Sequence, residues 1–386
     1  DGRETAPAAA TGDMFLGPDG KPRKFYDAVV GGLSVGTPGL LRMLELAHQD
    51  HGKLPWADLF TPAIRLATSG FQISPRLHYL IDRDSERLTT FDDARSYFYQ
   101  PDGSALSAGT LLRNPAYADI LGQVARDGAD AFYNGAIAAD IVRTVRQATR
   151  NPGLMTLADL SGYRAVKRQA VCGTYRGNRI CGMPPPSSGG VTVAQMLGLL
   201  EGFNLSQMSP DSLSAAHLIA ESGRLAFADR NLYLADTDFV PAPLKGLLDS
   251  SYLKSRAAQI SLKSSLGKAE AGTPPQDHGS LTPMQDDFER ESTTHLSVID
   301  ADGNAVSMTS SVENAFGARL MTRGFILNNQ LTDFSFTPEK DGVAIANRVE
   351  PGKRPRSSMS PTLVLGPDGN LRMAVGSPGG SRIIGY

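Results

Sequence analysis

Residues 291–311 read ESTTHLSVIDADGNAVSMTSS. Two alternating runs flank Asp300-Ala301-Asp302-Gly303-Asn304, which suits a three-residue hairpin loop with Gly303 in the left-handed conformation open to glycine. Pairing 300 with 304 places Thr293 opposite Ser311, His295 opposite Thr309 and Ser297 opposite Ser307. The odd-numbered face is then rich in hydroxyls. The even-numbered face carries Leu296, Val298, Val306, Met308 and Val312 and is expected to pack into a core, taking Thr294 with it and leaving Thr293 as the exposed hydroxyl.

Ahead of this hairpin, residues 263–292 read KSSLGKAEAGTPPQDHGSLTPMQDDFERES, poor in apolar residues and rich in Pro, Gly, Ser and charge. This composition predicts a flexible surface segment. A threonine hydroxyl is a poor nucleophile unless a base takes its proton, and a threonine at a chain N-terminus carries one in its own α-amino group. That amine, with an ordinary pKa of about 7.7–8.0, suits general-base duty near neutrality. Thr293 gains it only if the bond after Ser292 is cut, and the Thr293 hydroxyl can make that cut by attacking the preceding carbonyl. The competing reading of the hairpin alone is a solvated loop joined to a strand whose hydroxyls merely tolerate water.

A second constellation lies in RPRSSMSPTLVLGPDGNLRMAVGSPGGSR, residues 354–382. A two-residue turn at Asp368-Gly369 would pair its strands so that Ser358 faces Gly379. Glycine N–H groups there can closely approach a developing oxyanion.

Farther out, Thr37-Pro38 and Thr61-Pro62 read as helix starts, Gly52 and Gly70 as helix stops, and Ile137, Ile141, Val142 and Val145 as one buried helical stripe. Residues 165–183 predict a β-hairpin, followed by the loop MPPPSSGG (183–190), a helix from about Thr192 and another over about 212–235. Short strands are expected over roughly 294–376. A turn at Arg176-Gly177 would set Cys172, one of two cysteines, opposite the other, Cys181. A disulfide is geometrically feasible there, and two ordinary thiols on neighbouring strands are an equal alternative.

The 38 Lys and Arg nearly balance the 40 Asp and Glu without long like-charge runs, which argues against nucleic acid or an anionic membrane as partner. No apolar run approaches the roughly 18–20 residues of a membrane span, and no signal-peptide pattern opens the chain. Both ends are expected to be incomplete, because the chain opens without a cap or strand of its own and stops at SRIIGY as an apolar helix begins. GxGxxG, Walker and CxxC patterns are absent, and His48 and His51 lack a third ligand for a metal.

TTHLSVIDADGNAV, FG at 316–317, NNQLTDFS at 328–335, KRPRSSMSPT at 353–362 and GSPGGSR at 376–382 resemble, in order and spacing, the small subunit of the γ-glutamyltransferase family. GRETAP at 2–7, SVGTPG at 34–39 and MPPPSSGG at 183–190 resemble its large subunit. The resemblance implies an α+β N-terminal-nucleophile hydrolase, a four-layer αββα sandwich matured by self-cleavage between Ser292 and Thr293, with no metal or organic cofactor. Residues 1–292 would form the large-subunit part and 293–386 the small-subunit part of one composite domain. Thr293 would be the nucleophile, Ser311 its hydroxyl partner, and Gly379 and Gly380 the oxyanion donors. Arg3, Ser357 and Ser358 would hold the donor's α-carboxylate, and Gln330 and Asp333 its α-ammonium.

Implied partners are a small γ-glutamyl donor such as glutathione, with water or an amino acid or peptide as acceptor. The family implies a periplasmic or secreted location. Two departures widen the donor class. Glu313 stands where many members have Asn near the ammonium site, and FTPEKDGVAIANRVEPG (336–352) lacks the aromatic lid loop of some members. A glutaryl or cephalosporin acylase of the same family is therefore the alternative, and an uncleaved, non-catalytic binding form is a third reading.

Overall fold

The computed structural model describes residues 1–275, 281, 283 and 292–386. The fold is α+β, and the chain packs into two compact units. One comprises 1–167, 312–332 and 350–352; the other comprises 168–311, 333–349 and 353–386. Each unit thus draws on chain from both sides of the Ser292–Thr293 bond.

The first unit is mainly helical. Helix α1 (Leu40–His51) ends at Gly52 as expected, but it starts after Gly39, whose N-cap position makes no side-chain bond, because Thr37 is instead bridged to Thr5. Helix α2 (Thr61–Ser69) carries Pro62 in its first turn and stops at Gly70, where φ is 88°. In α3 (Gly135–Arg146), Ile137, Ile141 and Val145 are buried along one stripe. Residues 312–332 are anchored in this unit by buried Arg319, whose Nε and Nη2 meet the two Asp84 oxygens at 2.8 and 3.1 Å, while Nη1 donates to Gly317 O at 2.6 Å.

In the second unit, β1 (Val171–Tyr175) and β2 (Asn178–Gly182) form the expected hairpin. Its turn residues Arg176 and Gly177 have φ of 50° and 80°, and Cys172 pairs with Cys181. These cysteines form a disulfide. Helix α4 (Gly189–Leu200) packs on this sheet and against α5 (Leu213–Tyr233), which Ser212 caps by accepting from Ala215 N at 3.2 Å. Helix α4 buries Val191, Ala194, Met196, Leu199 and Leu200, which suits a helix held between two other elements. A Cβ on Gly189 would fall 2.0 Å from Ser360 Oγ, so this glycine is required for close approach.

The hairpin of β3 (Thr293–Ile299) and β4 (Ala305–Ser311) has the anticipated register, with Thr293 opposite Ser311 and Gly303 at φ 83°. Strands β5 (Thr362–Leu365) and β6 (Leu371–Val375) complete an antiparallel four-stranded sheet in the order β6-β5-β2-β1.

Four expectations need correction. The even-numbered face of the β3–β4 hairpin is open: Leu296, Val298 and Val306 are 43, 54 and 51% exposed. The hydroxyl face is the covered one, because Ser307 Oγ donates to Val375 O at 2.9 Å and accepts from Thr362 N at 3.1 Å. Alternation distinguishes two faces but does not say which one meets a neighbour. Second, Ser358 does not pair with Gly379. Thr362 pairs with Val375 as the register requires, but the ladder stops there, and the turn end carries a bulge at Val364/Leu365.

Third, the predicted flexible segment 263–292 is tied down through its first part. Glu221 accepts from Ser265 Oγ and Leu266 N at 2.8 and 2.7 Å, Arg256 donates to Glu270 O at 2.8 Å, and Asp229 accepts from Gly272 N at 2.8 Å. Buried helix side chains thus satisfy backbone that composition alone marks as loose. Of residues 276–292, only 281, 283 and Ser292 are among the described residues. Fourth, residues 312–361 are largely irregular between two-residue ladders, because side-chain amides and guanidiniums take up their backbone groups.

Candidate active site

Thr293 opens β3 and Ser311 closes β4, so the hairpin register brings two hydroxyls to the same end. Thr293 Oγ1 donates to Ser311 Oγ at 3.5 Å, and Ser311 Oγ donates to the Ser292 carbonyl at 3.2 Å, across an intact Ser292–Thr293 peptide bond. One hydroxyl therefore touches both the Thr293 side chain and the Ser292 carbonyl. Thr293 is half-buried, whereas Thr294 is exposed, the reverse of the expected burial. Next along the covered face, His295 is bonded through Nδ1 to Thr309 Oγ1 at 2.8 Å and through Nε2 to Ser297 Oγ at 3.0 Å. Its burial lowers the imidazole pKa, favouring the neutral ring.

In the same unit, Gly379 and Gly380 are buried beyond β6 with φ of 144° and 59°, conformations that side-chain-bearing residues rarely adopt. Gly380 begins a short 3₁₀ turn, Gly380–Gly385.

Ser357 and Ser358 are buried against the MPPPSSGG loop. Ser357 O accepts from Ser188 N at 2.7 Å and Ser188 Oγ at 2.8 Å, Ser357 N donates to Pro186 O at 3.0 Å, and Ser187 Oγ donates to Met359 O. Behind them lies a residue that motif matching missed. Arg230, on α5 and fully buried, donates through Nε to Ser188 Oγ at 2.8 Å and through Nη2 to Ser358 Oγ. A guanidinium donating to Ser358 Oγ fixes that hydroxyl's orientation and places positive potential behind it, which favours an anion in front. The signal in sequence was weak: an arginine within a helix of mixed composition.

In the first unit, Arg3 is buried, with Nη1 4.0 Å from a Glu4 oxygen and its carbonyl accepting from Tyr163 Oη at 2.7 Å. Glu313 is buried with φ 72°, an uncommon conformation for a residue with a side chain, and its carboxylate accepts from Asn329 Nδ2. Asn329 Oδ1 also accepts from Asn314 N at 2.9 Å. Asn328 grips Gly36 from both sides, accepting from its N at 3.0 Å and donating to its O at 2.9 Å. These two asparagines, quoted only as part of a motif, are what orient Glu313 and the SVGTPG loop. Gln330 is buried in the Gln330–Asp333 turn and its N donates to Asn328 Oδ1 at 3.0 Å.

Asp333 belongs to the second unit and is buried, its carbonyl accepting from Asn347 Nδ2 at 2.7 Å. No cluster of three or more His, Cys, Asp or Glu suited to a metal occurs among the described residues.

A family model described as gamma-glutamyltranspeptidase matches residues 1–386. The chain is 39% identical to the glutathione hydrolase proenzyme of Escherichia coli (strain K12), with all of this chain and 65% of that protein aligned. It thus spans about two thirds of that relative's length. Among solved structures, Helicobacter pylori gamma-glutamyltranspeptidase aligns with TM-score 0.67 and 32% identity over 70% of this chain and 77% of that one. Cephalosporin acylase from Bacillus halodurans aligns with TM-score 0.82 and 25% identity, covering 100% of this chain and 67% of that one.

Proposed function

Because the chain belongs to the gamma-glutamyltranspeptidase family, we propose that it is a precursor that cuts itself between Ser292 and Thr293 and then transfers γ-glutamyl groups through an ester on Thr293. Glutathione and related γ-glutamyl compounds would be donors, and water or an amino acid or peptide the acceptor. The observation that carries this reading is the chain of contacts from Thr293 Oγ1 to Ser311 Oγ to Ser292 O.

In the first reaction, Thr293 Oγ1 attacks the Ser292 carbonyl carbon, and charge develops on the oxygen that already accepts from Ser311. Collapse breaks the C–N bond, the proton lost from Oγ1 ends on the Thr293 nitrogen, and water hydrolyses the resulting ester. The products are a Ser292 carboxylate and a free Thr293 amine. In turnover that amine takes the Oγ1 proton as the hydroxyl attacks the donor's γ-carbonyl, then passes it to the departing amine.

Gly379 and Gly380 would supply the oxyanion N–H groups. Ser357, Ser358 and Arg3 would hold the α-carboxylate, with Arg230 acting behind Ser358. Gln330, Asp333 and Glu313 would receive the α-ammonium. A large-subunit fragment 1–292 and a small-subunit fragment 293–386 would stay together as the mature enzyme, since each compact unit contains chain from both. Location in the periplasm or outside the cell is supported by the Cys172–Cys181 disulfide, which persists in oxidising compartments. No helix among the described residues is long and apolar enough to cross a membrane.

A denaturing gel tests the reading directly. Fragments split at 292/293, a free Thr293 N-terminus by mass spectrometry, and loss of both cleavage and turnover in Thr293→Ala are expected. A purified protein that stays one chain refutes it and leaves the non-catalytic binding form.

A glutaryl or cephalosporin acylase is the second reading, favoured by the small hairpin Glu339–Lys340/Val343–Ala344 in place of a lid. Parallel rates on γ-glutamyl and glutaryl anilides separate the two, and a preference for glutaryl sinks the first.

A further inference from the structure

The nucleophile hairpin and the glycine loop meet at a contact that the mechanism above does not use. On the covered face of β3, two residues after Thr293, the His295 ring lies directly over Gly376. A Cβ built on Gly376 would stand 2.2 Å from His295 Cε1, 2.5 Å from Nδ1 and 2.7 Å from Nε2. Gly376 does not adopt a positive φ, so its backbone conformation is open to any residue and the glycine serves space alone.

The ring has no easy retreat, because Thr309 Oγ1 and Ser297 Oγ hold its two nitrogens at 2.8 and 3.0 Å. A second stitch lies one residue earlier on β6, where Ser307 donates to Val375 O. Gly379 and Gly380 follow Gly376 by three and four residues in GSPGG.

We propose that His295, seated on Gly376, is a positioning residue that sets the placement of Thr293 relative to the Gly379 and Gly380 N–H groups. This rests on the reading of Thr293 as nucleophile and Gly379 and Gly380 as oxyanion donors. Thr293 is two residues, about 7 Å of strand, from His295, so a shift of the seat is transmitted along stiff β backbone. Oxyanion donors act only over a few tenths of an ångström, and a misplacement of about 1 Å can lower turnover about 100-fold.

The test is a double-mutant cycle in the full chain with Gly376→Ala, His295→Ala and the pair together, plus His295→Gln. Gly376→Ala is expected to lower kcat about 10- to 100-fold while KM for the γ-glutamyl donor changes less than about 2-fold. The double variant, in which removal of the ring makes room for the new methyl, should recover at least about 5-fold over Gly376→Ala. His295→Gln, which can still bond Thr309 or Ser297, should exceed His295→Ala. Wild-type kcat in Gly376→Ala, or a double variant no better than Gly376→Ala, overturns the proposal.

If the wild type neither cleaves nor turns over, it is the nucleophile reading that has failed. Thermal unfolding of the same four proteins then still tests the seat: the double variant must regain midpoint lost by Gly376→Ala, and additive losses refute the contact.

Discussion

Ser311→Ala should slow self-cleavage by roughly 10- to 100-fold without unfolding the protein. The magnitude follows from two distances. Ser311 Oγ is 3.2 Å from Ser292 O, beyond the usual O–H···O range of about 2.5–3.0 Å, so the ground-state bond is loose and contributes about 1 kcal/mol or less. As Thr293 attacks, the carbonyl oxygen becomes anionic, and a hydrogen bond to an anion shortens and roughly doubles in strength. Removal of one oxyanion donor in other acyl-transfer enzymes costs about 2.7–4 kcal/mol, and a loose starting geometry lowers this one to about 1.5–3 kcal/mol. At about 1.4 kcal/mol per decade, that is one to two orders of magnitude in rate.

The contact from Thr293 Oγ1, at 3.5 Å, adds little of its own. Precursor purified before cleavage is followed by densitometry of a denaturing gel at fixed pH, alongside Ser311→Thr, which keeps the hydroxyl and should cleave much closer to wild type. Wild-type cleavage in Ser311→Ala would refute the role of this hydroxyl at the scissile carbonyl.

Arg3→Lys should raise KM for γ-glutamyl donors while sparing kcat, because the charge survives but the planar fork that matches a carboxylate is lost; an unchanged KM in steady-state kinetics counts against Arg3 as anchor. Gly189→Ala should destabilise the fold by about 1–3 kcal/mol in denaturant unfolding, since the new methyl would meet Ser360 Oγ at 2.0 Å and Met359 O at 2.5 Å. Burial depresses the His295 pKa below its ordinary 6.5, so the unfolded chain binds the extra proton first. Stability from this group is therefore present above pH 6.5 and lost as pH falls through the folded-state pKa; the thermal midpoint of wild type should drop more steeply than that of His295→Asn between pH 7.5 and 5.

The local parts of this molecule were legible in its sequence because their causes are local. Loop length and Gly303 specified the pairing of Thr293 with Ser311, and the Arg176-Gly177 turn specified that of Cys172 with Cys181. Motif spacing located the candidate serines, glycines and carboxylates. Arg230, Asn328 and Asn329 escaped notice as individuals because their roles arise from contacts with residues distant in sequence: Ser358 lies 128 positions from Arg230, and Gly36 lies 292 from Asn328.

What the sequence by itself determined was the register of the Thr293–Ser311 hairpin and the chemical identity of its two faces, since period-two alternation and turn chemistry are properties of neighbouring residues. Only the tertiary structure decided which face is covered. The hydroxyl face, not the apolar one, meets β6, through Ser307 at Val375 and His295 at Gly376, because a glycine without a side chain and a strand-end carbonyl offer seats that fit an imidazole and a hydroxyl. That choice depends on what the rest of the chain brings alongside, and no pattern within the hairpin encodes it.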